Sequence, residues 1–240
     1  MKNINTILAI LRNIFSKIKS SNMNKYLIIS DIHLGDEHSK PEILLKVLKK
    51  YKAKNIIIAG DLFDHHNLKR LKKSHWKVLS QLRKLSKKSK IIYLIGNHCF
   101  LNSEFMSILL GFDCRDELEI ELNGKKILIV HGDIFDIYFT KFKWMSNIII
   151  KLYYLARKTI LGEVFFRAVQ HHTKDFIEKS SKIKQNAIKH AKENNYHKII
   201  YGHSHIPDHD DKCINTGSFC EEKCSFVLIN KNNIELIYEN

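Results

Sequence analysis

Five places in this 240-residue chain carry residue types that bind divalent cations, and each follows a run of apolar residues. They are Asp31-Ile-His33, Gly60-Asp61, Gly96-Asn97-His98, His131-Gly132 and Gly202-His203-Ser204-His205. Carboxylate, amide oxygen and imidazole form a hard to borderline ligand set, suited to manganese, iron or zinc, and no thiolate is among them. Asp31, His33, Asp61, Asn97, His131, His203 and His205 are too many ligands for one tetrahedral ion. They suit two ions sharing one carboxylate, and Asp61 is the natural bridge because it stands alone after its apolar run. A single Asp-x-His or His-x-His is weak, since such pairs are usually accidents of core or surface. Five in order, each behind an apolar run, make coincidence a poor account.

The elements that must position these residues are legible in outline. Residues 26–30, 55–59, 91–95 and 198–201 read as short buried strands, each stopping at one of the ligand motifs. Pro41 and Glu42 suit the first turn of a helix reaching about Tyr51, and a basic helical stretch is expected over 68–88. Residues 117–122 and 126–130 flank Asn123-Gly124, a strong hairpin-turn pair, and the second of these strands runs into His131. Short strands are expected near 213–215, 225–229 and 234–237. The β–α–β–α–β alternation predicts a layered α/β core. Strand periodicity allows Asp31 and His33, and likewise His203 and His205, to face the same way on extended backbone. Ligands collect beyond the carboxyl ends of strands in open α/β sheets, which is where all five motifs fall.

The chain carries 40 Lys+Arg against 25 Asp+Glu, a net charge of +15 that favours anionic partners. Many of the lysines, such as Lys49-Lys50 and Lys87-Lys88, lie in runs that fit solvated helix faces equally well. Five cysteines without scaffold spacing point to a reducing, cytoplasmic setting. Cys213, Cys220 and Cys224 with His209 match no standard zinc spacing. Two segments differ in kind from the rest. Residues 1–22 are acid-free, with Lys2, Arg12, Lys17 and Lys19 opposite Ile4, Ile7, Leu8, Leu11, Ile14, Phe15 and Ile18 at helical spacing. They read as a basic amphipathic helix able to lie in a membrane interface or to pack on its own domain. A domain over 23–240 follows, with a helical insertion at about 137–195. The stretch 137–170 opens on Ile137, closes on Gln170, and holds eight aromatics and six basic residues against the single acid Glu163. It is the candidate substrate-binding region.

The ordered motifs resemble the signature of the calcineurin-like metallophosphoesterases: D-x-H, G-D, G-N-H-D/E, H and G-H-x-H, here spanning Asp31 to His205. The resemblance implies a four-layer α/β/β/α sandwich and a pair of divalent ions, with manganese the first choice and iron or zinc the alternatives. By it, Asp31, His33, Asp61 and His205 hold one ion, and Asp61, Asn97, His131 and His203 the other. His98 and the adjacent ligand Asn97 are the expected catalytic residues; His98 resembles the family's catalytic histidine and is expected to protonate the leaving group or stabilise transition-state charge. Where the family places an orienting acid after this histidine, the chain has Cys99. Another carboxylate must therefore supply that contact, or His98 works unsupported.

Within the superfamily the words Ser30-Asp-Ile-His-Leu34, Gly60-Asp-Leu-Phe-Asp64, His131-Gly-Asp-Ile-Phe-Asp136, Gly202-His-Ser-His-Ile-Pro207 and Asn215-Thr-Gly-Ser-Phe219 look like the UDP-2,3-diacylglucosamine hydrolases of lipid A synthesis. That resemblance implies hydrolysis of a lipid-linked nucleotide-sugar pyrophosphate to UMP and a lipid 1-phosphate. It also implies a peripheral position on the inner face of a bacterial cytoplasmic membrane, touching anionic lipid. The aromatic, basic insertion suits acyl chains and an anionic headgroup, though a cap packed on the core explains its apolar residues too. A nuclease or soluble-nucleotide phosphodiesterase is the rival, since basic and aromatic residues also suit single strands. Blocks such as Ile148-Ile149-Ile150 argue against stacking platforms, and no dedicated nucleic-acid partner is expected. A non-catalytic scaffold is disfavoured because every ligand position is filled.

Overall fold

The computed structural model describes residues 24–98, 103–136, 173–231 and 233–240. The expected amphipathic segment 1–22, Cys99 and residues 137–172 of the insertion lie outside the described residues. The first sheet is built on three parallel strands, β1 (Asn24–Ile29), β2 (Ala53–Ala59) and β3 (Lys90–Leu94). Helix α1 (Pro41–Lys50) joins the first pair and α2 (Lys73–Leu85) the second; α3 (Ser103–Leu110) leads to the short parallel strand β4 (Asp113–Arg115). The second sheet starts with the hairpin β5 (Glu117–Leu122) and β6 (Lys125–Val130). Its turn residues Asn123 and Gly124 have φ of 53° and 74°, the double left-handed turn that fits strand twist.

Helix α4 (Thr173–Glu193) then precedes β7 (Lys198–Tyr201), parallel to β6. The strand pair β8 (Asp208–His209) and β9 (Cys213–Asn215) completes this sheet, in the order β5-β6-β7-β9-β8. The chain returns through β10 (Cys224–Ile229) and β11 (Ile234–Glu239) to the first sheet, whose order is β11-β10-β1-β2-β3-β4.

Side-chain alternation decides the layering. Ile28, Ile57 and Ile92 face inward from the first sheet onto Leu118, Ile120, Leu122, Ile127, Ile129, Ile200 and Ile214 of the second. The opposite faces of β1 and β2 (Leu27, Ile29, Ile56, Ile58) meet Leu44, Val47 and Leu48 of α1 and Val78, Leu79 and Leu82 of α2. On the far side Ile183, Ala187 and Ala191 of α4 cover Leu128, Val130, Ile199 and Tyr201. The result is the expected α/β/β/α sandwich. Strands buried on both faces read as unbroken apolar runs, so β1 to β3 and β7 are legible in the sequence.

The stretch 68–88 is not one helix. Leu68–Arg70 forms a single 3-10 turn, with the Asn67 side chain accepting from the Lys69 N–H. Helix α2 starts afresh at Lys73, where His75 Nδ1 accepts from the Lys72 N–H at 3.1 Å and satisfies one otherwise orphaned donor of the helix entry.

Candidate metal centre

The parallel strands β1, β2 and β3 of one sheet and β6 and β7 of the other all end on the same side, and their loops meet there. Extended alternation is not how the pairs face inward. Asp31, His33, Asp61, His203 and His205 have left-handed backbone, with φ of 48°, 46°, 39°, 67° and 57°. They are five of the seven such non-glycine residues among the described ones. This region costs roughly 1–2 kcal/mol per residue because Cβ crowds the carbonyl oxygen, so the surroundings must hold it. They do so by tying loop to loop. The N–H groups of Ile32 and His33 both donate to Asp61 O at 3.0 Å, Gly202 N to His131 O at 2.7 Å, and Phe219 N to Asp31 O at 3.0 Å. Two glycines make the approach feasible. A Cβ on Gly60, itself at φ 89°, would collide with the His131 ring, and one on Gly202 would collide with Asp31 Oδ2 and Ser30 Oγ.

All seven expected ligands converge. On one side His33 Nε2 and His205 Nε2 lie 3.2 Å apart, with Asp31 Oδ1 3.4 Å from His205 Nε2 and 3.9 Å from His33 Nε2. On the other, Asn97 Oδ1 lies 2.8 Å from His131 Nε2 and 3.0 Å from His203 Nδ1. Asp61 stands between them, its Oδ2 3.3 Å from His131 Nε2 and 3.9 Å from His33 Nε2. The groups able to hold an ion among the described residues are Asp31/His33/His205, Asp31/Asp61/His131 and His33/Asp64/His98, all within this one constellation. Cys213, Cys220 and Cys224 are free thiols and form no such group.

The centre has the electrostatics of a cation site. Asp31 is fully buried and its Oδ1 has no hydrogen-bond partner, the mark of a lone pair meant for something else. Burial opposes ionisation of Asp31, yet the nearby His205 and His33 hold its carboxyl well below the usual range. Asp61 is likewise buried and lowered, chiefly by His131. The carboxylates in turn draw protons onto their neighbours: against the effect of burial, Asp61 pushes His131 up to about 10 and Asp31 pushes His205 up to about 10. His203 moves the other way, lowered by burial. Its Nε2 faces the Asp136 carboxylate at 3.2 Å and its Nδ1 faces Asn97 Oδ1 at 3.0 Å. A neutral ring has one proton for two acceptors, so a lone pair is left pointing at an amide oxygen. His131 Nδ1 lies 2.9 Å from Ala59 O, an anchoring contact that leaves Nε2 for the centre. The donor set fits a pair of divalent ions.

His98 is supported, though not by a carboxylate. Its Nδ1 donates to the main-chain carbonyl of Asp64 at 3.1 Å, its own N–H donates to Asp61 Oδ1 at 3.0 Å, and its ring packs edge-on to His33. The sequence reading missed three supporting groups: Asp64, Asp136 and Lys179. Asp64 and Asp136 share a signal, because Asp61-Leu-Phe-Asp64 and Asp133-Ile-Phe-Asp136 repeat one D-[LI]-F-D pattern after a strand. The Asn215-Thr-Gly-Ser-Phe219 segment braces the rear of the centre. Asn215 Nδ2 donates to Ser204 Oγ at 2.7 Å, and Thr216 N donates to Tyr201 O at 2.8 Å. A cavity of about 370 Å³ opens beside His33 and His205, with Asp36, Asp64 and Glu221 on its wall. Asp64 on this wall is paired with Arg70, while Asp36 and Glu221 suit a cation better than a bare phosphoester anion.

Comparison with known proteins agrees with this geometry. The family model described as calcineurin-like phosphoesterase matches residues 25–207. The UDP-2,3-diacylglucosamine hydrolase of Blochmanniella pennsylvanica is 30% identical over 75% of this chain and 79% of its own. Enzymes of the same name from Coxiella burnetii and Aliivibrio fischeri are each 26% identical, over 80% and 76% of this chain and 85% and 82% of theirs. The matched span contains all seven ligand positions together with His98, and the chain belongs to the calcineurin-like phosphoesterase family, as a metal-dependent hydrolase.

Proposed function

We propose that this chain hydrolyses the pyrophosphate of UDP-2,3-diacylglucosamine, releasing UMP and a lipid 1-phosphate. The observation that carries the reading is the convergence of Asp31, His33, Asp61, Asn97, His131, His203 and His205 in a chain whose 30% identical relative bears that activity in its name. Asp31, His33, Asp61 and His205 would hold one divalent ion and Asp61, Asn97, His131 and His203 the other; the donor set suits manganese, iron or zinc, and the family resemblance makes manganese the first choice. Such a pair of ions supplies a water acidic enough to deprotonate near neutral pH and a positive seat for the phosphoryl oxygens. The protein's own residues do the rest. Asp31 and Asp61 fix two ionised carboxylates in a buried setting, and the anchored imidazoles keep their geometry without reorganisation. His98, with Nδ1–H engaged by the Asp64 carbonyl, turns Nε2 to the site; in the imidazolium form, where both ring nitrogens carry protons, its Nε2–H stabilises charge on the phosphoryl oxygens or passes its proton to the departing phosphate.

The lipid part of the reading rests on composition. The aromatic and basic segment 137–170 is the substrate-binding region for acyl chains. The basic amphipathic segment 1–22 is a separate module that holds the protein against anionic lipid on the inner face of the bacterial membrane. No helix among the described residues is long and apolar enough to cross a bilayer. The test is release of UMP from UDP-2,3-diacylglucosamine by purified protein with Mn²⁺, run beside single-stranded DNA and soluble nucleotide diesters. UMP release with no nuclease activity is the expected result. Cleavage of DNA with the lipid substrate untouched would overturn the proposal in favour of a nuclease.

A further inference from the structure

Helix α4 reaches the metal centre from behind. Asp136, 1% exposed, takes the His203 Nε2–H at 3.2 Å and the Lys179 ammonium at 2.9 Å on the same oxygen, Oδ2. Lys179 belongs to α4. On the same helix Ser180 Oγ lies 3.0 Å from the hydroxyl of Ser204, the residue between His203 and His205. Two turns further, Asn186 Nδ2 donates to Phe135 O at 2.9 Å. Ile183 and Ala187, buried against Tyr201 and Phe135, complete the docking face. One helix face therefore grips both loops that bring the second sheet's histidines to the centre.

The hydrogen-bond chemistry gives this grip a direction. An ionised carboxylate only accepts, so the proton it shares with His203 sits on Nε2. That leaves Nδ1, the nitrogen facing Asn97 Oδ1, as the lone pair turned into the centre. Lys179 compensates the charge of the buried Asp136 carboxylate from the helix side. Neither contact is needed to close α4 on the sheet, because the apolar face already does so.

We infer that Asp136 is a positioning residue for His203, clamped by Lys179, so that α4 sets how tightly the ion on the His203 side is held. This rests on the two-metal reading above. Asp136 acts by fixing the tautomer and ring angle of His203, and an outer partner of this kind is typically worth about 10–100-fold in metal affinity.

The experiment titrates full-length metal-free protein with Mn²⁺, following free ion by electron paramagnetic resonance, and reads the His203 tautomer by long-range ¹H–¹⁵N NMR. Asp136→Ala weakens one of the two sites by about 10–100-fold, leaves the other unchanged, and erases the Nε2-protonated signature. Asp136→Asn keeps an oxygen to accept from His203 and restores most of the affinity. Lys179→Met shows a smaller loss confined to the same site. Unchanged affinity at both sites in folded Asp136→Ala would overturn the inference, as would equal weakening of both. Should Asp136→Ala fail to fold, wild-type affinity at both sites in Lys179→Met overturns it instead. Wild-type protein that binds no Mn²⁺ would sink the two-metal reading as well, which separates the two failures.

Discussion

His98 enters the centre with one ring nitrogen engaged by a main-chain carbonyl, that of Asp64 at 3.1 Å, and with its own amide donating to Asp61. A ring held in this way has a fixed orientation, with a proton kept on Nδ1, and needs no acid following it in sequence to hold it. Replacing it tests the role directly: His98→Ala should lower kcat by about 10²–10⁴-fold, the range for a positioned acid–base group. Both ions should stay bound, because His98 is outside the seven proposed ligands. Steady-state kinetics with Mn²⁺ titration reads both quantities, and an unchanged kcat would remove His98 from the chemistry. The seven proposed ligands and His98 were legible as a set because their residue types suit metal binding and proton transfer, and the structure brings them together. The partner of His98 was not, since a carbonyl contributed by Asp64 has no side-chain signature. Asp136 was hidden for a related reason: it acts through His203, from which it is separated by 67 residues in the chain. The left-handed conformation of Asp31 and His33 was misread as extended, because a two-residue spacing looks the same in either case.

At the level of elements, what decided legibility was length and burial. Strands β1 to β3 are buried on both faces and stop at glycine or ligand motifs, so pattern alone finds them. Strands β4 and β8 have three and two residues, too few to display a period, and they exist only because a neighbouring strand edge pairs with them. The last strand shows a different dependence. Glu239 on β11 is gripped by Lys50 at 2.9 Å and Lys46 at 3.0 Å from α1, with Tyr51 Oη at 3.2 Å. The hydrogen bond from Lys50, then that from Lys46, lowers its pKa from 4.5 to about 2. A depressed carboxyl stabilises the fold above its unfolded value, and that contribution fades as pH falls from about 4.5 toward 2. Both lysines are about half exposed, so solvent screening keeps the effect small. Glu239→Gln should therefore destabilise the protein by roughly 1 kcal/mol at pH 7, with the gap to wild type narrowing by pH 3. Urea unfolding at the two pH values reads this; an equal gap at both would remove the ionised carboxylate from the account.

For the molecule as a whole, the centre belongs to neither sheet. The first supplies Asp31, His33, Asp61 and Asn97, and the second supplies His131, His203 and His205, so the proposed ligand set is complete only when the two sheets are packed face to face. Ion binding and sheet packing are therefore linked, and ligand groups that repel or lie unpaired without a cation become a source of stability with one. Charge is divided in the same way. The chain is basic overall at +15, while the centre and its mouth are acidic, an arrangement that draws anionic substrate to the molecule and reserves the site itself for cations. The central claim is that Asp61 joins two ions in one cage, and counting the bound metal tests it most directly. Mn²⁺ retained per chain after equilibrium dialysis should be two in the wild type and fall in Asp61→Ala at both positions. A wild-type chain that retains a single ion, or an Asp61→Ala chain that keeps both, would contradict the account.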